Sequence, residues 1–521
     1  MAMWHATSTP RSQPVLKSRR REELRALPIV VAAFLLRLWI ASGTFLNPDE
    51  ALHFLVANKL SWAAAFKASL STAHPPGLIF VLYFWRHLGT SELVLRLPSI
   101  LAGTVFCWLF FRWLERVFDR NAAWIGLLLA SFLPPVIALS TEIRQYAFLL
   151  MFMAGAMDLF EQALAQRSWL KMSGSGLCLC LALTFHYSAL LFALAFGIYG
   201  LLRILKHPTD PEVLASWGIG QLGALALFGY FYVHHIAHLA ANTMSQQTIA
   251  GWLSNSYYHP GKQNVLLFAF ARTFGVFQFV FGQLAIGDVA GIAFFASIVL
   301  LLRRRTWIVA AFLALPFLVA CALAIGGKYP YGGTRHSAFL VPFAIAGASV
   351  AIDFLLKGRL KSGFVVAALI LFSSALFGKP HRPYITRADQ SSAHMQQAVR
   401  FLREHVRPGE SILTDYQSGL LLGHYLCEQK PMVFNTSVTG FEEFTCQGLR
   451  VISTGPQVQI FSDATFLDPR LWASLSDGFG VLAGQKVWVL QAGWDLGLAA
   501  QGPLKSFGKN IEVSEFVAPK R

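Results

Sequence analysis

The sequence predicts a polytopic α-helical membrane protein of about eleven transmembrane helices with a C-terminal α/β domain outside the membrane. Three observations predict it. Of 521 residues, 55% are hydrophobic and only 13% are charged, where a soluble globular protein carries about 25% charged residues. Apolar runs of roughly 20 residues, enough to cross a bilayer as a helix, recur through residue 378. Residues 379–521 are less hydrophobic and mix helical and strand-like periods.

The first span is 28–46. The basic segment "RSQPVLKSRRREEL" runs straight into it like a signal peptide, but the basic part is long and no small-residue cleavage site is clear. It therefore reads as an uncleaved helix. Further spans fall near 97–115, 121–140, 146–163, 172–186, 188–204, 214–233, 284–302, 306–325, 338–356 and 362–378.

Charge orients this threading. The net charge is +16, and the basic residues gather in short runs: 18–24, Arg112 to Arg120, 166–171, 203–207, 303–305 and 357–361. All fall on one side, which the positive-inside rule makes the cytoplasm. That pattern excludes nucleic acid as the partner of the basic charge. With residues 1–27 inside and an odd number of spans, residues 379–521 lie outside.

Two outside segments stand out. The loop 47–96 contains "HPPGLIFVLYFWRHLG", too short to span and suited to a helix lying along the interface, with Trp85, Arg86 and His87 at its polar end. The region 379–521 is long enough for one small domain, with a helix at 392–406 and strands at 409–415 and 486–494. The intervening 28–378 forms the membrane body. Cys107, Cys178, Cys180 and Cys321 sit in apolar spans as small hydrophobes. Cys427 and Cys446 share the outer region, where an oxidising compartment favours a disulfide.

The polar residues collect in one layer at the outer surface. Asp49, Glu50 and His74 lie in the first outer loop. "STEIRQY" places Glu142, Arg144 and Tyr146 at the outer end of the third span, and "FHYS" places His186 at the outer end of the fifth. "HHIAH" brings His234 and His235 after the seventh, and "GGKYPYGGTRHS" brings Lys328, Arg335 and His336 before the tenth. Arg37 is the main charge inside the membrane, and pairing within the bundle accounts for it.

In order along the chain, "NPDEALHFLVANKL", "HPPGLIFVLYFWRHLGTSELVLRLPSILAG", "TEIRQYAFLLMFMAGAMDLF", "YGGTRHSAFLVP", "VRPGESILTDYQSGL" and "KVWVLQAGW" resemble successive motifs of the GT-C glycosyltransferases. The resemblance is to the bacterial branch similar to protein O-mannosyltransferases, the lipid A aminoarabinose transferase and the lipopolysaccharide galacturonosyltransferases, and it covers nearly the whole chain. It implies an enzyme of the bacterial inner membrane. Such an enzyme moves a sugar, with inversion, from a polyprenyl-phosphate carrier to a lipid, polysaccharide or protein acceptor on the outer side.

The chemistry accounts for the residue layer. An acceptor hydroxyl needs a base within hydrogen-bond reach, and a departing phosphate needs cations or donors placed on it. The resemblance assigns the base to Asp49, with Glu50 beside it. It assigns donor phosphate or sugar contacts to His74, Arg144, Tyr146, Arg335, His336 and Lys328. Glu142, His186, His234 and His235 are weaker candidates. No cofactor is required by the motifs; a divalent ion would need Glu50, His74 and His234 or His235 to converge, and no fixed-spacing ligand motif is present.

Local structure offers a plainer reading of the same residues. Asn47, Pro48 and Glu50 make a capping box with Pro in the first turn, His74 precedes two prolines that start a helix, and Arg and Tyr anchor helices at interfaces. The competing class is a lipid or glycolipid flippase with a soluble outer domain. It calls for charges or broken helices near the midplane and an internal repeat; the sequence shows no clear repeat, and its charged groups, Arg37 apart, avoid the midplane.

Overall fold

The computed structural model describes residues 12–206, 208–240, 251, 253–378, 391–427, 438–498 and 504–519. His207, which closes the basic run 203–207, lies outside the described residues, as do 379–390, where the outer region was expected to begin.

Each expected span is met by a helix. The first helices are α1 (Ser12–Ala41), α2 (Pro48–Ala57), α3 (Trp62–Ser69), α4 (Gly77–Trp85) and α5 (Glu92–Val117). They are followed by α6 (Arg120–Phe132), α7 (Pro134–Thr141), α8 (Tyr146–Gln166), α9 (Trp169–Phe185), α10 (Ala189–Lys206) and α11 (Pro211–Phe231). Helices at Leu284–Arg303, Trp307–Ile325, Val341–Leu355 and Leu360–Phe377 complete the set. Among the described residues, nine helices are long and apolar enough to cross a membrane, or ten with the bent pair α6–α7 taken as one. The expected span 172–186 is met by α9, which at 17 residues is a short helix.

Two details differ from the sequence expectation. The span 121–140 is broken by 56° between α6 and α7, because Pro134 and Pro135 lack the N–H groups that would carry the ladder across. A further apolar helix, Val265–Phe281, was not expected. Its Thr273 hydroxyl bonds the Tyr331 hydroxyl at 2.8 Å, in the loop before Arg335, and Gly282 just beyond it packs on Ser374 and Gly378 at the close of the last bundle helix.

Aromatic and aliphatic side chains of α5, α6, α8, α10 and the later helices form one continuous apolar core. Arg37 is fully buried inside it. It donates to the Ser140 hydroxyl at 2.8 Å and to the carbonyls of Ala33, Ser131 and Ala130 at 3.0 to 3.3 Å, the pairing within the bundle expected of it. At the end away from the α1–α2 loop, charges are closed into pairs: Arg116 with Asp158 and Arg203 with Glu161, each at 2.6 Å.

The C-terminal region is an α/β unit. Its six-stranded sheet has the order β2-β3-β1-β4-β6-β5, with β1 (Ser411–Thr414), β2 (Phe441–Cys446), β3 (Leu449–Thr454), β4 (Lys486–Ala492), β5 (Lys505–Ser506) and β6 (Ile511–Val517). β1 pairs in parallel with both β3 and β4, and the outer pairings are antiparallel. The helix Ser392–His405 packs here, and Cys427 and Cys446 are disulfide-bonded with Cα atoms 5.0 Å apart.

This unit is seated on α2. Phe54, Leu55, Leu421, Leu422 and Trp488 belong to one buried cluster. The Tyr425 hydroxyl accepts from the Leu46 N–H at 2.8 Å and donates to Glu92 at 3.0 Å. Gly493, at φ +134°, lies against the Pro48 ring, where a Cβ would come within 3.0 Å. The short helix that carries Asp49 is thus held between the bundle and the sheet.

Candidate active site

Helix α2 starts where the sequence demands. Asn47 is extended and accepts from the Glu50 N–H at 3.0 Å, while the Glu50 carboxylate accepts from the Asn47 N–H at 2.9 Å, with Pro48 in the first turn. The capping reading and a functional reading then separate by residue. Both Glu50 oxygens are bound by Arg96 at 2.7 Å, and the Ile143 N–H adds a fourth bond at 2.9 Å. Arg96 spends its remaining donors on the carbonyls of Ala41, Thr44 and Phe45 and on the Thr44 hydroxyl. Glu50 is buried and saturated, so its expected place beside the base is corrected: it anchors α2 to α5 and has no lone pair to offer a substrate.

Asp49 faces the other way. Its side chain is 21% exposed, and one oxygen, Oδ2, is shared by Arg144 and Arg335, the latter at 2.9 Å. The other oxygen is left to the space beyond. Arg144 is buried, 3.8 Å from the Glu142 carboxylate, and Arg335 presents Nη1 without a partner among the described residues.

Around this pair lies a chain of rings. His53, one turn along α2, stacks 6.3 Å from His74, which lies 5.2 Å from His186, which lies 5.3 Å from Tyr146. Arg335 and His336 are close enough to act electrostatically on His74. The loop that presents His74 is pinned by His235, whose Nε2 donates to the Thr72 carbonyl at 2.8 Å and whose Nδ1 meets the Tyr187 hydroxyl. Gly77 allows α4 to begin against the end of α9, because a Cβ there would meet the Thr184 carbonyl at 2.5 Å.

The electrostatics keep the imidazoles neutral. Burial, aided by Arg335, pushes His53 down to about 4, against a weaker pull from Glu50. Burial alone takes His186 down to about 3. His74 is lowered by burial and then by its neighbours His186 and His53. Glu142 moves oppositely, up to about 8, through burial and the nearby Glu50 charge, with Arg335 opposing. Several buried polar atoms here have no partner among the described residues: His53 Nε2, both amide atoms of Gln145, Tyr146 Oη and His186 Nε2. An unmet buried polar atom costs about 1–3 kcal/mol, so a cluster of them marks a place built for a polar ligand.

The structure therefore brings together Asp49, His74, Glu142, Arg144, Tyr146, His186, Arg335 and His336. Other expected members stand apart. Lys328 is exposed, His234 is exposed and stacks on Tyr230 at 4.6 Å, and both nitrogens of His235 are used in holding the His74 loop. The imagined convergence of Glu50, His74 and His234 or His235 on a divalent ion is corrected on the same grounds. Among the described residues, no group of three or more His, Cys, Asp or Glu side chains is arranged to hold a metal. Sequence reading missed His53 and Gln145. For His53 a signal existed, since a residue four on from Asp49 in a capped helix shares its face.

Comparison with known proteins gives the class. The chain aligns with the crystal structure of ArnT from Cupriavidus metallidurans in the apo state at TM-score 0.54 and 13% identity, covering 96% of this chain and 99% of that one. The same protein bound to undecaprenyl phosphate aligns at TM-score 0.51 and 13% identity, covering 94% and 97%. The chain therefore shares the fold of ArnT over nearly the full length of both chains. Within it, residues 73–230 match the family model described as dolichyl-phosphate-mannose-protein mannosyltransferase. The Archaeoglobus fulgidus oligosaccharyltransferase in complex with Zn and sulfate aligns more weakly, at TM-score 0.45 and 13% identity over 77% of this chain and 61% of that one. No curated protein sequence matches the chain.

Proposed function

We propose that the protein is an inverting glycosyltransferase of the bacterial inner membrane that moves a sugar from a polyprenyl-phosphate carrier to an acceptor hydroxyl on the outer side. The observation that carries this reading is the Asp49 carboxylate, a fifth exposed and held on Oδ2 by Arg144 and Arg335, in a site with several buried polar atoms that have no partner among the described residues. Asp49 Oδ1 takes the acceptor's proton as the acceptor oxygen attacks the anomeric carbon. The bond to phosphate breaks on the opposite face, and its electron pair leaves with the phosphate, whose charge is met by Arg335 and Arg144.

Three further features support the reading. The match over 73–230 is to a family described by a dolichyl-phosphate-linked donor, and the ArnT relative is described bound to undecaprenyl phosphate. An apolar groove of about 380 Å³ opens beside His74 and His186, lined by Phe66, Pro76, Phe80, Phe185 and Phe231, which suits a polyprenyl tail. The Cys427–Cys446 bond belongs to an oxidising compartment, and the unit that carries it sits at the same end as Asp49. In this reading residues 28–378 are the catalytic membrane body and 379–521 the outer domain. The sugar and the acceptor, whether lipid, polysaccharide or protein, are set by groups the reading does not name.

The test is transfer by purified wild type and Asp49→Asn with a panel of undecaprenyl-phosphate sugars and a membrane glycolipid extract. Transfer by wild type that collapses in Asp49→Asn supports the proposal. Equal transfer by both moves the base elsewhere, and absence of transfer alongside lipid movement across liposomes overturns the enzyme reading.

A further inference from the structure

His53 is the residue of this site that the sequence did not single out. It stands one turn from Asp49 on α2 and is 5% exposed. Its Nδ1 lies 2.5 Å from the Asp49 backbone carbonyl, which can only accept, so Nδ1 carries the hydrogen. In the neutral ring the other nitrogen, Nε2, is then a lone-pair acceptor. It is buried and without a partner among the described residues.

The surroundings narrow what can meet that lone pair. Arg335 lies near enough to disfavour a proton on the ring, and burial does the same, so the ligand brings the hydrogen. The phosphodiester of a polyprenyl-phosphate sugar is excluded at this atom, because it is fully ionised and offers no hydrogen. His186 has the reverse polarity: its Nδ1 lies 3.1 Å from the Ser188 N–H, which can only donate, and 2.7 Å from the Ser188 hydroxyl, which can donate to it as well; with Nδ1 accepting, the hydrogen sits on Nε2, which is buried and without a partner among the described residues. Between them lies His74, stacked 6.3 Å from His53 and 5.2 Å from His186. One acceptor and one donor of fixed tautomer, flanking the ring nearest the groove, fit a neutral polyhydroxyl.

We infer that His53 is a substrate-contacting residue whose Nε2 accepts a hydroxyl of the donor sugar, on the His74 side of Asp49. The inference rests on the glycosyltransferase reading and deepens it: the donor is a sugar with a free hydroxyl beside its phosphate-bearing carbon, and His53 holds that hydroxyl while Asp49 serves the acceptor. Hydrogen bonds to a hydroxyl at that position strengthen as positive charge develops on the ring.

The experiment measures binding of bare undecaprenyl phosphate and of a panel of undecaprenyl-phosphate hexoses and pentoses to wild type, His53→Phe and His53→Gln, all with matched thermal unfolding midpoints. His53→Phe keeps the ring volume, and His53→Gln restores an acceptor near Nε2. The expected result is unchanged binding of the bare lipid and a three- to tenfold loss for the sugar-bearing lipid in His53→Phe, partly recovered in His53→Gln. Equal loss for both lipids, loss for neither, or a change confined to the acceptor KM overturns the inference while leaving the glycosyltransferase reading in place. Wild type that binds no lipid at all overturns the reading, and the inference with it.

Discussion

The two faces of α2 carry neighbouring carboxylates with opposite fates. On the face toward α5, Glu50 has every lone pair engaged: four bonds from Arg96, Ile143 and Asn47, with no exposed surface to speak of. On the face toward the pocket, Asp49 is gripped through a single oxygen and is a fifth exposed, with His53 and its unmet nitrogen one turn along. The same chemical group is a fastener on one side and, in the proposed function, the base on the other. What separates them is satisfaction, not residue type or burial alone: a saturated carboxylate stabilises a structure, and an unsaturated one beside unmet donors is prepared for a ligand.

Exchanging the charges tests that contrast. Asp49→Asn is expected to lower transfer by about 10²–10⁴-fold, the usual contribution of a general base, with a smaller drop in unfolding midpoint than its neighbour produces. Glu50→Gln is expected to cost about 3–5 kcal/mol of stability, because Arg96 is left buried without its counter-charge; thermal unfolding in detergent reads this. If Glu50→Gln folded as wild type but abolished transfer, the assignments would be the wrong way round. A mild effect is expected from Cys427→Ser combined with Cys446→Ser. With the cysteines 19 positions apart, about 3 kcal/mol is lost from the outer unit, and α2 loses order with it, seen as faster amide exchange in 46–54.

The smallest effect is a pH dependence. Glu142 is held up to about 8 by burial and by Glu50, while an unfolded glutamate ionises near 4.5. Between those values the folded state holds more protons than the unfolded one, so stability falls as pH rises from about 4.5 to about 8. Glu142→Gln is expected to flatten that slope in unfolding midpoints taken across the range. His53 acts in the other direction. Its depressed value near 4 leaves the folded state with fewer protons below about 6.5, so stability falls as pH drops through that window.

Much of this was legible in the chain, for identifiable reasons. Spans are written in composition, so eleven expected helices are met, and the capping box at Asn47–Glu50 is a local signal that needs no tertiary partner. The break at Pro134 went unread because hydropathy is blind to a missing N–H. The helix Val265–Phe281 was passed over because Arg272, Thr273 and Gln278 interrupt its apolar run; Thr273 bonds Tyr331 and Gln278 bonds Asp288. The role of Glu50 depends on Arg96, 46 residues away, and nothing local announces that partner. His235, a weak candidate whose commoner role at such a position is structural, is a strut, since both of its nitrogens find partners at Tyr187 and Thr72. His53 was hidden in plain view, one helical turn beyond the residue on which attention had settled.

The clasp of Tyr425 on Leu46 and Glu92 has a temporal consequence. Its two ends, Tyr425 and Leu46, are separated by 379 positions in the chain, so at a synthesis rate of roughly 5–20 residues per second the helix bearing Asp49 waits roughly 20–75 s for its last packing partner. During that interval α2 lacks the outer unit that packs on it. In the proposed function, the site around Asp49 is therefore completed only once the segment bearing Tyr425 has been made.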